Sequence, residues 1–128
     1  MRLTIFVTDD EPAIRSAIVK RLSRRLHRVV GYESGDALLS ALEHELPDLI
    51  LLDLKMPGLS GLDTLKKVRP VAPHALVIML TAYGTVQDAV EAMKVGAYDF
   101  LIKTVELDGI EPVVDRAVDL LNLRRRLE

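Results

Sequence analysis

Two patterns of apolar residues alternate along this chain. Short, continuous apolar runs are bounded by turn-forming residues, and between them apolar residues recur at every third or fourth position. Continuous runs are typical of strands that are buried on both faces of a parallel sheet, whereas the longer spacing is typical of amphipathic helices. The predicted strands are residues 3–8, 28–32, 49–53, 75–80 and 98–102.

Proline and capping residues predict where the first three helices begin or end. The first helix should start at Pro12, since proline is favoured in a first turn, and run to about Leu26. Ser34 is a suitable N-cap for the second helix. The third helix should stop before Pro70, because proline disrupts a helix interior.

The fourth helix carries signals at both of its ends. Thr85 and Asp88 have the spacing of a capping box, and Gly96 is suited to the left-handed conformation of a C-cap. The apolar stripe that this helix presents at helical spacing consists of Val86, Ala89, Val90 and Met93.

The order of these elements predicts the fold. Strands that alternate with helices indicate an α/β domain with five parallel strands, right-handed crossovers and helices on both faces. Acidic residues follow the first and third strands, and they meet only if these strands are neighbours where the strand order reverses. We therefore predict a doubly wound, flavodoxin-like sheet with the order 2-1-3-4-5 and five helices.

Carboxylates stand at the ends of two of these strands. Asp9 and Asp10 follow the first strand, and Asp53 ends the third. Ligands of open α/β sheets bind outside the carboxyl ends of the strands. Three carboxylates close together are hard to keep ionised without a cation, and hard oxygen ligands favour Mg²⁺, with Mn²⁺ as a substitute. The alternative is that each acid only caps the helix that follows it.

Two further polar residues follow the fourth and fifth strands at the same predicted edge. Thr81 follows the fourth strand and offers a hydroxyl donor, and Lys103 follows the fifth and offers a compact charge for phosphate oxygens. Because aspartate can form acyl phosphates, and phosphoryl transfer needs mainly positioning and charge neutralisation, this set suffices for that chemistry. Taken alone, Thr81 could be an ordinary strand end and Lys103 a solvated surface charge.

The composition excludes several classes of protein. The 128 residues fit one domain, and a net charge of -2 does not suggest a surface for polyanions, so we expect no direct nucleic-acid binding. Without cysteine there is no disulfide framework and no thiolate metal site. No apolar stretch approaches the ~18 residues that span a membrane, and we expect a cytoplasmic protein without a signal peptide.

Four motifs together resemble a known family, the receiver domains of bacterial two-component response regulators. The resemblance covers about residues 3–121, and the motifs that carry it are residues 7–11, 51–58, 80–84 and 96–103. Residues 81–86 and 92–97 look most like the N-terminal receivers of sigma-54-dependent, nitrogen-regulation-type transcriptional activators. A protein of this kind is a phosphorylation-activated switch and not an enzyme, apart from its own phosphoryl transfer and autodephosphorylation.

The resemblance implies roles for the acidic residues. Asp53 would be the phosphoacceptor, charged from the phosphohistidine of a sensor histidine kinase. Asp10 and Asp53 would bind Mg²⁺ directly, together with the backbone carbonyl of Lys55. Asp9 would act largely through water.

It also implies how the signal is read out. Thr81 would contact the phosphoryl group, Lys103 would pair with it, and Phe100 would be the aromatic switch residue that responds together with Thr81. The fourth helix, fifth strand and fifth helix would then form the face that controls an output domain or a target protein, in transcription regulation.

One departure from the family keeps other functions open. The family usually has proline after the lysine, joined by a cis bond, whereas Thr104 follows Lys103 here, and the state of this bond is left open. A degenerate receiver that binds partners without phosphorylation is therefore one alternative. The other is an aspartate-nucleophile phosphatase, which typically carries a second acid two residues after the nucleophile, where this chain has Lys55.

The fifth helix is predicted to outrun the domain. It begins within residues 107–112, and its apolar pattern continues to Leu127, beyond the reach of the sheet near Leu121. We therefore assign residues 1–122 to the receiver domain and residues 123–128 to an extension that begins a linker. Such a helix allows a homodimer, with residues 124–126 in solvent; the alternative is a frayed end.

Overall fold

The predicted strands form one parallel sheet with the order β2-β1-β3-β4-β5. This architecture is that of a computed structural model, which describes residues 2–82, 84–104 and 106–127. The strands are β1 (Thr4–Thr8), β2 (Arg28–Tyr32), β3 (Leu49–Asp53), β4 (Leu76–Thr81) and β5 (Asp99–Ile102). The helices are α1 (Pro12–Ser23), α2 (Gly35–Leu42), α3 (Gly61–Val71), α4 (Val86–Val95) and α5 (Ile110–Leu127). The predicted α/β fold and strand order are confirmed.

The central strand shows why its apolar run is continuous. Successive residues of β3 point to opposite faces of the sheet, and both faces are covered by helices. Leu49 and Leu51 join a first core cluster with α1 and α5, whereas Ile50 and Leu52 join a second cluster with α2, α3 and Ala92 of α4. A strand buried on both sides needs no polar residue until it reaches the edge.

Two helix ends differ from the prediction. Helix α1 ends at Ser23 and not near Leu26, because Leu26 adopts a left-handed φ of 65° and turns the chain towards β2. Helix α3 continues through Pro70 to Val71. Proline is tolerated there because it lies in the last turn, where it removes a single backbone hydrogen bond and Ala72 still donates to the Val68 carbonyl at 2.8 Å.

The capping predictions agree with the structure. Ser34 accepts a hydrogen bond from the Ala37 amide, and the side chains and amides of Thr85 and Asp88 form the reciprocal capping box. Gly96 has a φ of 114°, the left-handed conformation expected of a C-cap. Strands β1, β4 and β5 begin one residue later than predicted.

The apolar stripe of α4 does not face the core. Val86 is 82% exposed and Val90 and Met93 nearly half exposed, whereas Ala92 is the buried residue of this helix. Within the described part of the chain, no helix is both long and apolar enough to cross a bilayer.

Candidate functional site

The register of the sheet brings the predicted acids together. Thr8 pairs with Leu52, so the residues that follow them, Asp9 and Asp53, lie side by side at the carboxyl edge. One carboxylate oxygen from each of Asp9, Asp10 and Asp53 lies within 4.8 Å of the others. Asp9 and Asp53 are buried, and Asp10 is half-buried. The expectation that the two strand ends meet is confirmed.

Lys103 closes this cluster from the fifth strand. Its ammonium group donates to Asp9 Oδ2 at 2.8 Å and lies 3.5 Å from Asp53 Oδ2. The side chain is only 4% exposed, so it is not the solvated surface charge that the sequence left as an alternative. Among the described residues, Lys103 therefore pairs with two of the three carboxylates, and the cluster keeps an excess of negative charge.

Burial and the neighbouring charges shift the pKa values of Asp53 and Lys103. Burial raises the pKa of Asp53 to about 6; the charge of Lys103 opposes this shift, and that of Asp9 adds to it. Burial alone would lower the pKa of Lys103, but the hydrogen bond to Asp9 and the charge of Asp53 outweigh it and raise this pKa. The lysine is thus held charged, and a further cation beside Asp53 would favour the ionised form of this carboxylate.

Backbone amides that follow Asp53 in the sequence form hydrogen bonds to Asp53 and Leu54. The amide of Lys55 donates to Asp53 Oδ1 at 3.4 Å, and the amide of Gly61 donates to the Leu54 carbonyl at 2.8 Å. A Cβ atom at Gly61 would lie 2.0 Å from the backbone oxygen of Asp53. Glycine is therefore required for α3 to begin directly against the end of β3.

Thr81 and Phe100, the two predicted switch residues, lie on β4 and β5, outside the acidic cluster. Thr81 ends β4 and is buried, and its carbonyl accepts a hydrogen bond from the Lys103 amide at 2.7 Å. Phe100 is half-buried and packs against the second core cluster. Its ring covers Gly84, where a Cβ would approach the ring to 2.9 Å.

Thr104, which stands where the family usually has proline, does not displace Lys103 from the acidic cluster. The bond from Lys103 to Thr104 is trans, which answers the question that the sequence left open. The Thr104 hydroxyl donates to Asp108 at 2.6 Å, and the Leu107 amide donates to the Thr104 carbonyl at 3.1 Å. These two bonds close the loop before α5.

Arg15 is the residue at this edge that sequence reasoning missed. Its guanidinium donates to the backbone carbonyl of Asp9 at 2.8 Å. A bond from an arginine to a main-chain oxygen leaves no pattern in residue types, so the sequence offered no signal for it.

The donor set fits a divalent cation. Its ligand atoms are carboxylate oxygens, the hard ligands that Mg²⁺ and Mn²⁺ prefer, and their mutual repulsion is relieved by a positive ion. The fold and site thus define a flavodoxin-like α/β domain with an acidic, lysine-bridged site at the carboxyl edge of its sheet.

This chain belongs to the family of response regulator receiver domains, signalling modules whose family model matches residues 5–115. It is 35% identical over 113 residues to the DNA-binding transcriptional regulator NtrC of Klebsiella pneumoniae, covering 88% of this chain and 24% of that protein. The resemblance drawn from the motifs, including that to receivers of the nitrogen-regulation type, is confirmed. The chain spans about a quarter of the length of NtrC.

Solved structures agree with this membership. The crystal structure of NtrX from Brucella abortus superposes with a TM-score of 0.90 at 32% identity, over 99% of this chain and 30% of that one. A response regulator receiver domain protein from Clostridium thermocellum superposes with a TM-score of 0.84 at 32% identity, over 94% of this chain and 97% of its own. Members of the family bind Mg²⁺ through acidic residues.

Proposed function

We propose that this chain is the phosphorylation-activated switch of a two-component system, with Asp53 as the phosphoacceptor for a sensor histidine kinase. The observation that carries this proposal is the surrounding of Asp53 at the carboxyl edge. Asp9 and Asp10 supply carboxylate oxygens within 4.8 Å, and the ammonium group of Lys103 lies 3.5 Å away. These are the groups that phosphoryl transfer to a carboxylate needs.

The chemistry follows from these positions. A carboxylate oxygen of Asp53 forms the new bond to phosphorus while the bond from phosphorus to the donor breaks, and the leaving group carries away its electron pair. Lys103 offsets the charge brought by the phosphoryl oxygens, to which the Thr81 hydroxyl donates. Asp10, Asp53 and the backbone carbonyl of Lys55 would hold Mg²⁺ or Mn²⁺, with Asp9 acting through water, and the ion would supply positive charge to offset that of the phosphoryl group.

The signal leaves through the face made by α4, β5 and α5. Phosphorylation draws Thr81 towards the phosphoryl oxygens and lets Phe100 turn inward, which biases an existing equilibrium between two conformations. The apolar side of α4 is exposed, as is Ile102 of β5 at 45%, and such a face fits an output domain or target protein. The relatives support an output in transcription regulation. We expect no direct nucleic-acid binding by this chain, whose net charge is -2.

The end of α5 supports an assignment of residues 123–128 to a linker. Leu123 and Leu127 are exposed on a helix that continues past the sheet, and they suit a homodimer through this helix and its neighbours. Analytical ultracentrifugation with and without beryllofluoride should detect self-association. A strict monomer in both states, unaffected by deletion of residues 123–128, contradicts the dimer.

Acetyl phosphate provides the test of the phosphoacceptor. With Mg²⁺, the protein should gain one phosphoryl group by intact mass spectrometry, and Asp53→Asn should gain none. Asp48→Asn is the matched control, since Asp48 lies at the amino edge of the same sheet, between Thr4 and Arg125. Phosphorylation that persists unchanged in Asp53→Asn contradicts the assignment, and none in the wild type supports the phosphorylation-independent alternative.

Thermal unfolding tests the metal. A ligand specific for the native state adds roughly 1.4 kcal/mol at tenfold over its Kd. For a domain of this size, Mg²⁺ should therefore raise the Tm by about 2–8 °C. The rise should be absent in Asp53→Ala, and an equal rise in both proteins is evidence against the site.

A further inference from the structure

We propose that Arg15 is a positioning residue of the acidic site, which fixes the peptide group between Asp9 and Asp10 and thereby sets the affinity for the divalent cation. This inference rests on the proposed function, because it takes Asp10 and Asp53 as ligands of Mg²⁺. It concerns a residue that contacts neither carboxylate and acts through the backbone that carries them.

The contact is made across a short turn. Residues 9–11 form an acidic loop, and α1 begins directly after it at Pro12. Arg15 lies in α1, and the Nη1 atom of Arg15 donates to the Asp9 carbonyl at 2.8 Å. That carbonyl belongs to the peptide bond that joins Asp9 to Asp10. A charged donor makes a stronger hydrogen bond than a neutral one, so the guanidinium restrains rotation of this peptide plane.

The other polar groups of Asp9 are also held. Its amide donates to the Tyr32 carbonyl at 3.1 Å, and its carboxylate accepts from the Glu11 amide at 3.0 Å and from Lys103 at 2.8 Å. With Arg15 on the carbonyl, Asp9 is fixed at both ends of its backbone and at its side chain. The direction in which the chain leaves Asp9, and hence the direction of the Asp10 side chain, follows from the peptide plane that Arg15 holds.

Gly31 makes room for this arrangement. The aliphatic stem of Arg15 crosses Gly31 on β2, where a Cβ atom would lie 3.1 Å from the arginine Cγ and 3.2 Å from its Cδ. This is tighter than ordinary van der Waals contact, so any larger residue must push the stem aside. The backbone of Gly31 needs no left-handed φ, since its φ is not among the positive ones. Space for Arg15 is therefore the physical reason for glycine at this position.

Arg21 offers a matched control on the same helix. Its Nη1 atom donates to the Leu107 carbonyl at 2.7 Å, and the guanidinium also lies 3.6 Å from Glu111. Arg15→Met and Arg21→Met each remove one positive charge and one arginine bond to a backbone carbonyl from α1. Only the first of them touches the acidic loop.

Mg²⁺ affinity measured by isothermal titration calorimetry, together with the Tm in EDTA, tests the proposal. Arg15→Met should weaken Mg²⁺ binding about tenfold, the lower end of what loss of a supporting contact to a metal site typically costs. Arg21→Met should leave the affinity within about twofold of the wild type, whatever its Tm. Gly31→Ala keeps every charge, and should weaken binding in the same direction as Arg15→Met but less.

The outcomes separate this inference from the proposed function. Wild-type protein that binds no Mg²⁺ overturns the proposed function itself. Wild type that binds while Arg15→Met and Arg21→Met bind equally well overturns the role of Arg15. If Arg15→Met does not fold, Gly31→Ala decides: weaker binding with an unchanged Tm supports positioning, and wild-type affinity overturns it.

Discussion

Polar and charged groups are paired individually at the amino edge of the sheet, whereas carboxylates cluster at its carboxyl edge. At the amino edge, Asp48 accepts the Thr4 amide at 2.8 Å and lies 3.6 Å from Arg125, and His27 accepts the Leu3 amide at 3.2 Å. Each of these groups has a partner of its own. At the carboxyl edge three carboxylates lie together, and Lys103 pairs with the two buried ones, Asp9 and Asp53.

This difference separates an edge with a structural role from the candidate functional site. The amino edge needs nothing further, because its charges and backbone groups are paired where they stand. The carboxyl edge holds three carboxylates beside one ammonium group, that of Lys103. Burial raises the pKa of Asp53 to about 6, and the neighbouring charge of Asp9 adds to this shift. Groups whose ionisation is perturbed in this way concentrate at functional sites.

Lys103→Met should have the largest effect on stability. It removes the cation from the buried pair with Asp9, and breaking a buried pair costs about 3–5 kcal/mol because one charge is left without a partner. Urea unfolding at pH 7.5 in EDTA measures this loss. Mg²⁺ should restore part of the lost free energy of unfolding. If Lys103→Met is no more destabilising than a substitution at the amino edge, the proposed difference between the two edges is wrong.

Asp53→Asn should stabilise the protein, and more so at high pH. The folded pKa of Asp53, about 6, lies above its ordinary value of 3.8, so ionisation opposes folding. The penalty is absent below about pH 4 and complete above about pH 7, and one pKa unit corresponds to about 1.4 kcal/mol. In EDTA, the free energy of unfolding of Asp53→Asn relative to wild type should therefore rise by about 2–3 kcal/mol between pH 4 and pH 7.5. A difference that does not change with pH contradicts the shifted pKa.

Asp48→Ala should be destabilising by about 1–2 kcal/mol, because the Thr4 amide loses its side-chain acceptor in a partly buried position. The loss is expected at pH 7.5 and should be the same with and without Mg²⁺. Urea unfolding in both conditions measures it. A Mg²⁺-dependent change would show that the two edges are coupled and not independent.

Arg125→Met should have the smallest effect, below about 1 kcal/mol, since an exposed ion pair contributes little in water. Its partner Asp48 keeps the Thr4 amide. The same unfolding measurement checks it against Asp48→Ala. A loss as large as that of Asp48→Ala would mean that the ion pair, and not the backbone hydrogen bond, holds this edge.

The strands and the meeting of the acids could be predicted because both follow from period and order. A buried parallel strand must be continuously apolar, and parallel strands end at the same edge, so Asp9 and Asp53 had to converge once β1 and β3 were neighbours. The turn at Leu26 was not predictable, since its left-handed φ is set by where β2 must begin.

Side-chain contacts, and the side of each helix that the sheet covers, could not be predicted from the spacing of apolar residues. The spacing in α4 predicted a stripe but not which side of the helix the sheet covers, and Val86 and Met93 proved to be exposed. Lys103 proved to be buried against Asp9, although Thr104 follows it where the family usually has proline. Periodicity records which residues share a face, and not what lies opposite them.

The caps of α4 have a consequence for how this helix can move. Its first turn is closed by Thr85 and Asp88, and its last by Gly96, whose amide bonds to carbonyls within the helix. These bonds all lie inside residues 85–96, whereas Ala92 is the residue that the helix buries. A roll of α4 about its own axis therefore breaks none of these capping hydrogen bonds, and from the second core cluster it displaces the side chains of Ala92 and Val95. Such a segment can change its orientation while its amide protons stay protected.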